Sequence, residues 1–109
     1  TAAEDADAAT VRGDALGPLH GIPIGVKDVF DVGGHPTLAN SRVRRDHVAT
    51  RDATLIDRLR QTGALILGKT NTHEFALGVT SPPTRNPWNT GYMPGGSSGG
   101  SGRQSLPAN

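Results

Sequence analysis

The segment from residue 50 to residue 67 constrains the fold most, because its pattern predicts a helix followed directly by a strand. Thr50 or Asp52 can cap the helix, and Gly63 is placed to end it. The face that this helix would bury carries apolar residues at helical spacing: Leu55, Ile56 and Leu59. The continuous apolar run at 64–67 is then typical of a buried strand. A helix, a glycine and a buried strand form half of an α/β unit, so the chain is predicted to be α/β.

A second strand is predicted upstream, where every second residue is apolar: Ile22, Ile24 and Val26. This alternation indicates a strand with its aliphatic side in the core. Pro23 lacks a backbone N–H for the ladder, so we expect it at an edge or at the start of the strand. Lys27 falls on the face opposite the aliphatic set, which suits a functional side chain.

The remaining segments predict less regular structure. Residues 1–12 are rich in alanine and indicate an outer helix that Gly13 stops. Residues 31–50 contain turn signals and no sustained periodic pattern of apolar residues. A short helix is predicted over 73–77. Beyond Gly78, prolines and small residues predict a long loop, in which Trp88 is expected to be a packing anchor.

Composition excludes several classes of function. The net charge is +1, so nothing in the charge balance favours nucleic acid or a membrane surface as a partner. No apolar run approaches the roughly 20 residues of a membrane span, and no secretion signal is evident. The chain has no cysteine, which excludes disulfides and thiolate metal sites and fits a cytoplasmic protein.

Three short blocks carry the chemistry of the sequence: GIPIGVKD at 21–28, GKTNTHEF at 68–75 and GGSSGGS at 95–101. Alone, the third block is equally typical of a flexible Gly/Ser linker. Together and in this order, the blocks resemble the amidase signature family of Ser-Ser-Lys hydrolases, over about residues 17–101.

The resemblance implies a fold and a reaction. The family's fold is a mixed β-sheet core flanked by helices, of which this chain would form an incomplete, N-terminal-to-middle part. The implied reaction is hydrolysis of a carboxamide to an acid and ammonia or an amine, through an acyl-enzyme. It implies a small-molecule amide substrate and neither a metal nor a cofactor. Association into a homo-oligomer stays open.

The resemblance also assigns roles to individual residues. Lys27 would be the catalytic base, although a lysine beside Asp28 is by itself more typical of a surface ion pair. A lysine can act as base only when neutral, so its pKa must fall from about 10.4 toward the working pH. Ser97 would relay the proton, across a cis peptide bond with Gly96, and Ser98 would complete the hydrogen bonds around the amine.

The resemblance leaves the nucleophile outside these residues. In the family it belongs to a separate Asp-x-Gly-Gly-Ser block further along, whereas this sequence runs to Asn109. Residues 1–101 are therefore interpreted as a partial amidase signature domain and 102–109 as an irregular tail. After the third block, members of the family usually continue with an alanine-rich helix. If GC-rich codons encode the tail of this chain, the same codons read in a shifted frame would encode such a helix. A frameshift after Ser101 is accordingly one hypothesis.

Several alternatives stay open. Within the family, the rival to a stand-alone amidase is the A subunit of the tRNA-dependent amidotransferase, which hydrolyses glutamine. Outside enzymes, the rival is a non-catalytic gene fragment. His73 and Glu74 begin a zinc-binding H-E-x-x-H pattern, but Leu77 stands where its second histidine should be, which argues against metal.

Overall fold

A computed structural model describes residues 1–105 of the 109-residue chain. The elements follow in the order α1 (Ala2–Arg12), β1 (Pro23–Lys27), α2 (Thr54–Gln61), β2 (Leu65–Thr70) and α3 (Gly99–Gln104). Short 3₁₀ turns lie at Arg42–Arg44 and Glu74–Ala76. The predicted α/β class is confirmed.

The two strands pair in parallel, with α2 in the connection between them. Pro23 begins β1, as predicted, and lies opposite Leu65; Lys27 ends β1 and lies opposite Thr70. The carboxyl ends of parallel strands lie at the same edge of a sheet, where ligands usually bind in α/β folds. The residues that follow Lys27 and Thr70 therefore leave the sheet side by side.

Helices α2 and α3 lie on opposite faces of this sheet. The core under α2 is built from Val26, Val32 and Ile56, with partly buried residues around it: Ile24, Ala53, Leu59 and Ile66. Gly25 points to the other face, and a Cβ there would collide with the side chain of Gln104 in α3. The glycine thus allows α3 to approach the strand that carries Lys27.

The start of α2 differs from the prediction. Ala53 is the N-cap residue and makes no side-chain cap. The Asp52 carboxylate instead accepts hydrogen bonds from the Gly33 amide at 2.6 Å and from Arg60 Nε at 2.8 Å, so it joins the helix to a loop. Leu55, predicted to be buried, is 46% exposed. Gly63 does end the helical segment, with a left-handed φ of 84°.

Strand β2 is longer and less buried than the apolar run at 64–67 predicts. It continues to Thr70, and Leu67 is 67% exposed. The Leu67 side chain is exposed because none of the elements described in residues 1–105 covers it. This is why β2 is less buried than its apolar sequence predicts.

The two ends of the described chain are helical. In α1, Thr1 and Glu4 form a capping box and Gly13 ends the helix in the left-handed conformation. No residue of α1 is buried, so the prediction of an outer helix is confirmed. Helix α3 continues through Gln104, so the predicted tail is helical over 102–104, and 106–109 lie outside the described residues.

The long loop predicted beyond Gly78 runs to the start of α3. Within this loop, residues 86–92 form a smaller loop whose two ends are joined by a hydrogen bond from the Asn86 amide to the Tyr92 carbonyl at 3.0 Å. Trp88 is 59% exposed, so its predicted role as a packing anchor is wrong for the part of the chain described. Within residues 1–105, no helix has the length and apolar character needed to cross a membrane.

Candidate active site

The three sequence blocks meet at the carboxyl edge of the sheet. Lys27 ends the strand of the first block, and its Nζ donates to the Oγ of Ser97 in the third block at 2.7 Å. The second block joins the third through Thr70 Oγ1 and Ser101 Oγ, which lie 3.0 Å apart. Residues far apart in sequence are thereby brought into one cluster by the parallel pairing of β1 and β2.

Lys27 and Ser97 are both partly buried, and the expected approach of the amine to the hydroxyl is present. Among residues 1–105, Ser97 is the only residue to which the Lys27 amine donates a hydrogen bond. Alternation along β1 explains this orientation, because Val26 points into the core beneath α2 and Lys27 points to the other face.

Asp28 does not pair with the lysine beside it. Its Oδ1 lies 2.7 Å from Lys69 Nζ on the neighbouring strand, and its Oδ2 accepts from the Leu38 amide at 3.1 Å. Lys69 is held further by Thr37 Oγ1 at 3.1 Å. The ion pair of Asp28 is thus formed with Lys69, and Lys27 does not take part in it.

The main-chain carbonyl of Ser97 accepts three hydrogen bonds. The donors are Thr72 Oγ1 at 2.8 Å, the His73 amide at 2.9 Å and Ser81 Oγ at 3.1 Å. Thr72 is 0% exposed and Ser81 is 1% exposed. Sequence reasoning missed both hydroxyls. Thr72 stood inside a recognised block, whereas Ser81 carried no signal beyond its place before two prolines.

Residues of the segment 71–81 also form hydrogen bonds with the start of α3. The Gly99 amide donates to Ser81 Oγ at 3.1 Å, and the Gly100 amide donates to the Asn71 carbonyl at 2.9 Å. The Asn71 side chain in turn donates to the Ser81 carbonyl at 2.9 Å. Ser97 is thus fixed on its C-terminal side by two consecutive backbone amides.

Gly96 and Ser98 flank Ser97. The peptide bond between Gly96 and Ser97 is cis, and a Cβ on Gly96 would collide with the Val79 carbonyl. Ser98 is the N-cap residue of α3 without a side-chain cap, and its hydroxyl makes no hydrogen bond within residues 1–105. A supporting role for Ser98 stays a prediction.

His73 and Glu74 begin the partial zinc-binding pattern; His73 is the N-cap residue of the second 3₁₀ segment, and Glu74 is the first residue of that segment. Within the described residues, no group of three or more His, Cys, Asp or Glu side chains is arranged to hold a metal ion.

A family model described as Amidase matches residues 1–103. The A subunit of glutamyl-tRNA(Gln) amidotransferase from Acidothermus cellulolyticus is 46% identical over 106 residues, which is 93% of this chain and 21% of that protein. The chain therefore spans about a fifth of the length of the curated relatives that it matches.

Two solved structures are also matched over about a fifth of their own length. Native peptide amidase from Stenotrophomonas maltophilia matches with a TM-score of 0.82 and 36% identity, over 92% of this chain and 22% of that chain. The A subunit of glutamyl-tRNA(Gln) amidotransferase from Thermotoga maritima matches with a TM-score of 0.73 and 38% identity, over 81% of this chain and 21% of that chain.

Proposed function

This chain belongs to the amidase family, and we propose that the complete protein containing it hydrolyses a carboxamide C–N bond by Ser-Ser-Lys catalysis. In this proposal Lys27 is the base and Ser97 is the proton relay. The contact of 2.7 Å between Lys27 Nζ and Ser97 Oγ, formed by residues 70 positions apart, carries the proposal. The substrate class is a small-molecule amide.

The chemistry needs a serine nucleophile, which we assign to a part of the complete protein outside these 109 residues. Its hydroxyl oxygen attacks the amide carbon, its proton passes to Ser97, and the Ser97 proton passes to the neutral Lys27 amine. The Lys27 ammonium returns the proton through Ser97 to the departing nitrogen, which leaves as ammonia or an amine. Water then attacks the acyl-enzyme by the same route and releases the acid.

Two features support Lys27 in this role. Its hydrogen bond to Ser97 already has the length that proton transfer requires. The adjacent carboxylate, which would favour the charged amine by direct pairing, is engaged by Lys69 instead. The hydrogen-bond partner of the Lys27 amine is therefore the Ser97 hydroxyl and not the Asp28 carboxylate.

A second candidate is the A subunit of an amidotransferase, favoured by the 46% identity to the corresponding protein in Acidothermus cellulolyticus. In that case the amide would be glutamine, and the ammonia would be passed on within an assembly of subunits. The catalytic residues would be the same in both candidates. Ammonia release from simple amides by the complete protein without other subunits would favour the stand-alone amidase, and release that requires other subunits would favour the second candidate.

The central test is replacement of Lys27 by arginine in the complete protein. Arginine stays charged and cannot accept the proton, so we expect turnover to fall by at least on the order of 10²-fold. Lys69→Arg is the matched control, because arginine can keep the ion pair with Asp28 and the variant should retain most of its activity.

Ser97→Ala is the companion variant and should lower turnover by about 10²–10⁴-fold, as expected for a group in proton transfer. Near-normal turnover of Lys27→Arg would contradict the proposed role of the lysine. If the complete gene encodes no Asp-x-Gly-Gly-Ser block in any frame beyond Ser101, the non-catalytic fragment replaces the amidase as the better interpretation.

A further inference from the structure

We propose that Thr72 and Ser81 are positioning residues that hold the Ser97 carbonyl and thereby aim the Ser97 hydroxyl at Lys27. The inference rests on the proposed function, since it explains how the relay serine of that reaction is kept in place. Within residues 1–105 neither side chain is hydrogen-bonded to the Lys27 amine; both donate to the main chain of Ser97.

The first argument is the number of donors on one atom. A carbonyl oxygen has two lone pairs, yet that of Ser97 accepts from Thr72 Oγ1, from Ser81 Oγ and from the His73 amide. The His73 amide alone would satisfy the carbonyl. The two hydroxyls are therefore additional restraints, and they approach from different segments of the chain.

The second argument is burial. Thr72 is 0% exposed and Ser81 is 1% exposed, so neither hydroxyl can turn to bulk water. Burying a hydroxyl is unfavourable unless it forms hydrogen bonds, and here both hydroxyls donate to the same oxygen. Ser81 Oγ also accepts from the Gly99 amide at 3.1 Å, which fixes the backbone two residues beyond Ser97.

The third argument is that these two residues are themselves held. Asn40 Nδ2 donates to the Thr72 carbonyl at 2.9 Å, and Asn71 Nδ2 donates to the Ser81 carbonyl at 2.9 Å. With both carbonyls restrained, the hydroxyls present a fixed pair of donors. Rotation of the Ser97 peptide would break both of their bonds together.

The test uses the complete protein and compares Thr72→Val with Thr72→Ser. Valine has nearly the shape of threonine without the hydroxyl, whereas serine keeps the hydroxyl and lacks the methyl group. Because a small misplacement of a reacting group costs up to about 10²-fold in rate, we expect Thr72→Val to lower kcat by about 10–10²-fold with little change in KM. Thr72→Ser should restore most of the kcat.

Ser81→Ala is the second variant and removes one oxygen atom from the other donor. It should also lower kcat rather than raise KM, so the proposal stays testable if Thr72→Val does not fold. Each change is then combined with Ser97→Ala. If Thr72 and Ser81 position Ser97, their replacement should cause no further loss in kcat once Ser97 is alanine. If they contribute to stability alone, the loss in kcat should be the same with Ser97 and with Ala at that position.

A crystal structure of Thr72→Val separates this inference from the proposed function. We expect Lys27 Nζ and Ser97 Oγ to move beyond hydrogen-bonding distance in the variant, whatever the reaction of the protein. If that shift occurs but Lys27→Arg retains activity, the proposed function fails and the positioning role stands. An unchanged distance together with an unchanged kcat in Thr72→Val and Ser81→Ala overturns the inference.

Discussion

At the scale of single residues, Lys27 at the end of β1 and Asp28 in the turn after it show how consecutive residues acquire different partners. Alternation along β1 predicted the orientation of Lys27, and the family resemblance supplied Ser97 as its partner. Thr72 and Ser81 could not be predicted in the same way, because no periodicity marks a hydroxyl that donates to a distant carbonyl. Their roles depend on how 71–81 folds beside Ser97, which is a property of the tertiary structure.

Gly96 yields a prediction at this scale. A Cβ at this position would meet the Val79 carbonyl, a backbone atom that cannot move aside by a rotamer change. Gly96→Ala in the complete protein should therefore displace the backbone next to Ser97 and lower both the melting temperature and turnover. Gly68→Ala is the control, because among residues 1–105 a Cβ there meets nothing within 4 Å. Equal melting temperatures and turnover for the two variants would contradict the steric argument.

At the scale of elements, the succession of α2, Gly63 and β2 followed from the apolar pattern, whereas the start of α2 did not. Aspartate is a residue type that often caps helices. The carboxylate of Asp52, however, accepts hydrogen bonds from the Gly33 amide and from Arg60 Nε instead. A sequence pattern can identify a side chain that is able to cap a helix. It cannot identify a competing donor that the fold brings closer.

Asp52 leads to a prediction about pH. The hydrogen bond from the Gly33 amide, followed by the bond and charge of Arg60, holds the pKa of the Asp52 carboxyl below its ordinary value of 3.8. A carboxyl whose pKa is lower in the folded state stabilises the fold above its unfolded pKa, and this contribution is lost as pH falls through the folded value.

Stability of the complete protein should therefore decline as pH falls below about 4, and part of this decline should be absent in Asp52→Asn. Chemical denaturation of the two proteins between neutral pH and acid measures the difference. Parallel curves over the whole range would show that the carboxyl contributes no pH-dependent stability.

Packing of α2 gives a second prediction for the elements. Ile56 is 0% exposed in the core with Val26, while the adjacent Leu55 is 46% exposed. Ile56→Ala should lower the free energy of unfolding of the complete protein by about 2–5 kcal/mol. Leu55→Ala, measured by the same denaturant titration, should cost clearly less. A larger loss for Leu55→Ala would indicate that the remainder of the protein covers this residue.

At the scale of the whole molecule, the 109-residue chain has little core of its own. In the described residues its fully buried apolar side chains are few and the sheet has only two strands, so little apolar surface is removed from water. Many large apolar residues are exposed in the described part, among them Leu67, Leu77, Val79, Trp88 and Tyr92. With only 4% aromatic residues the chain has few large side chains to fill a core, but composition does not indicate which side chains are left uncovered.

We expect the isolated 109-residue chain to be poorly stable and inactive as an amidase. Its two-stranded sheet has unpaired edges, and its exposed apolar surface favours association with other chains. Circular dichroism during heating should show a broad transition without cooperativity, and NMR spectra should be poorly dispersed. A sharp melt with a well-dispersed spectrum would contradict the expectation of low stability.

The closed loop between Asn86 and Tyr92 has a consequence for how such proteins can diverge. Its ends are joined by a backbone hydrogen bond, while Ser97 is fastened separately by Thr72, Ser81 and His73. Changes in the length or sequence of residues 87–91 are therefore expected to leave the position of Ser97 unchanged. Selection is therefore expected to be able to remodel this loop independently of the contact between Lys27 and Ser97.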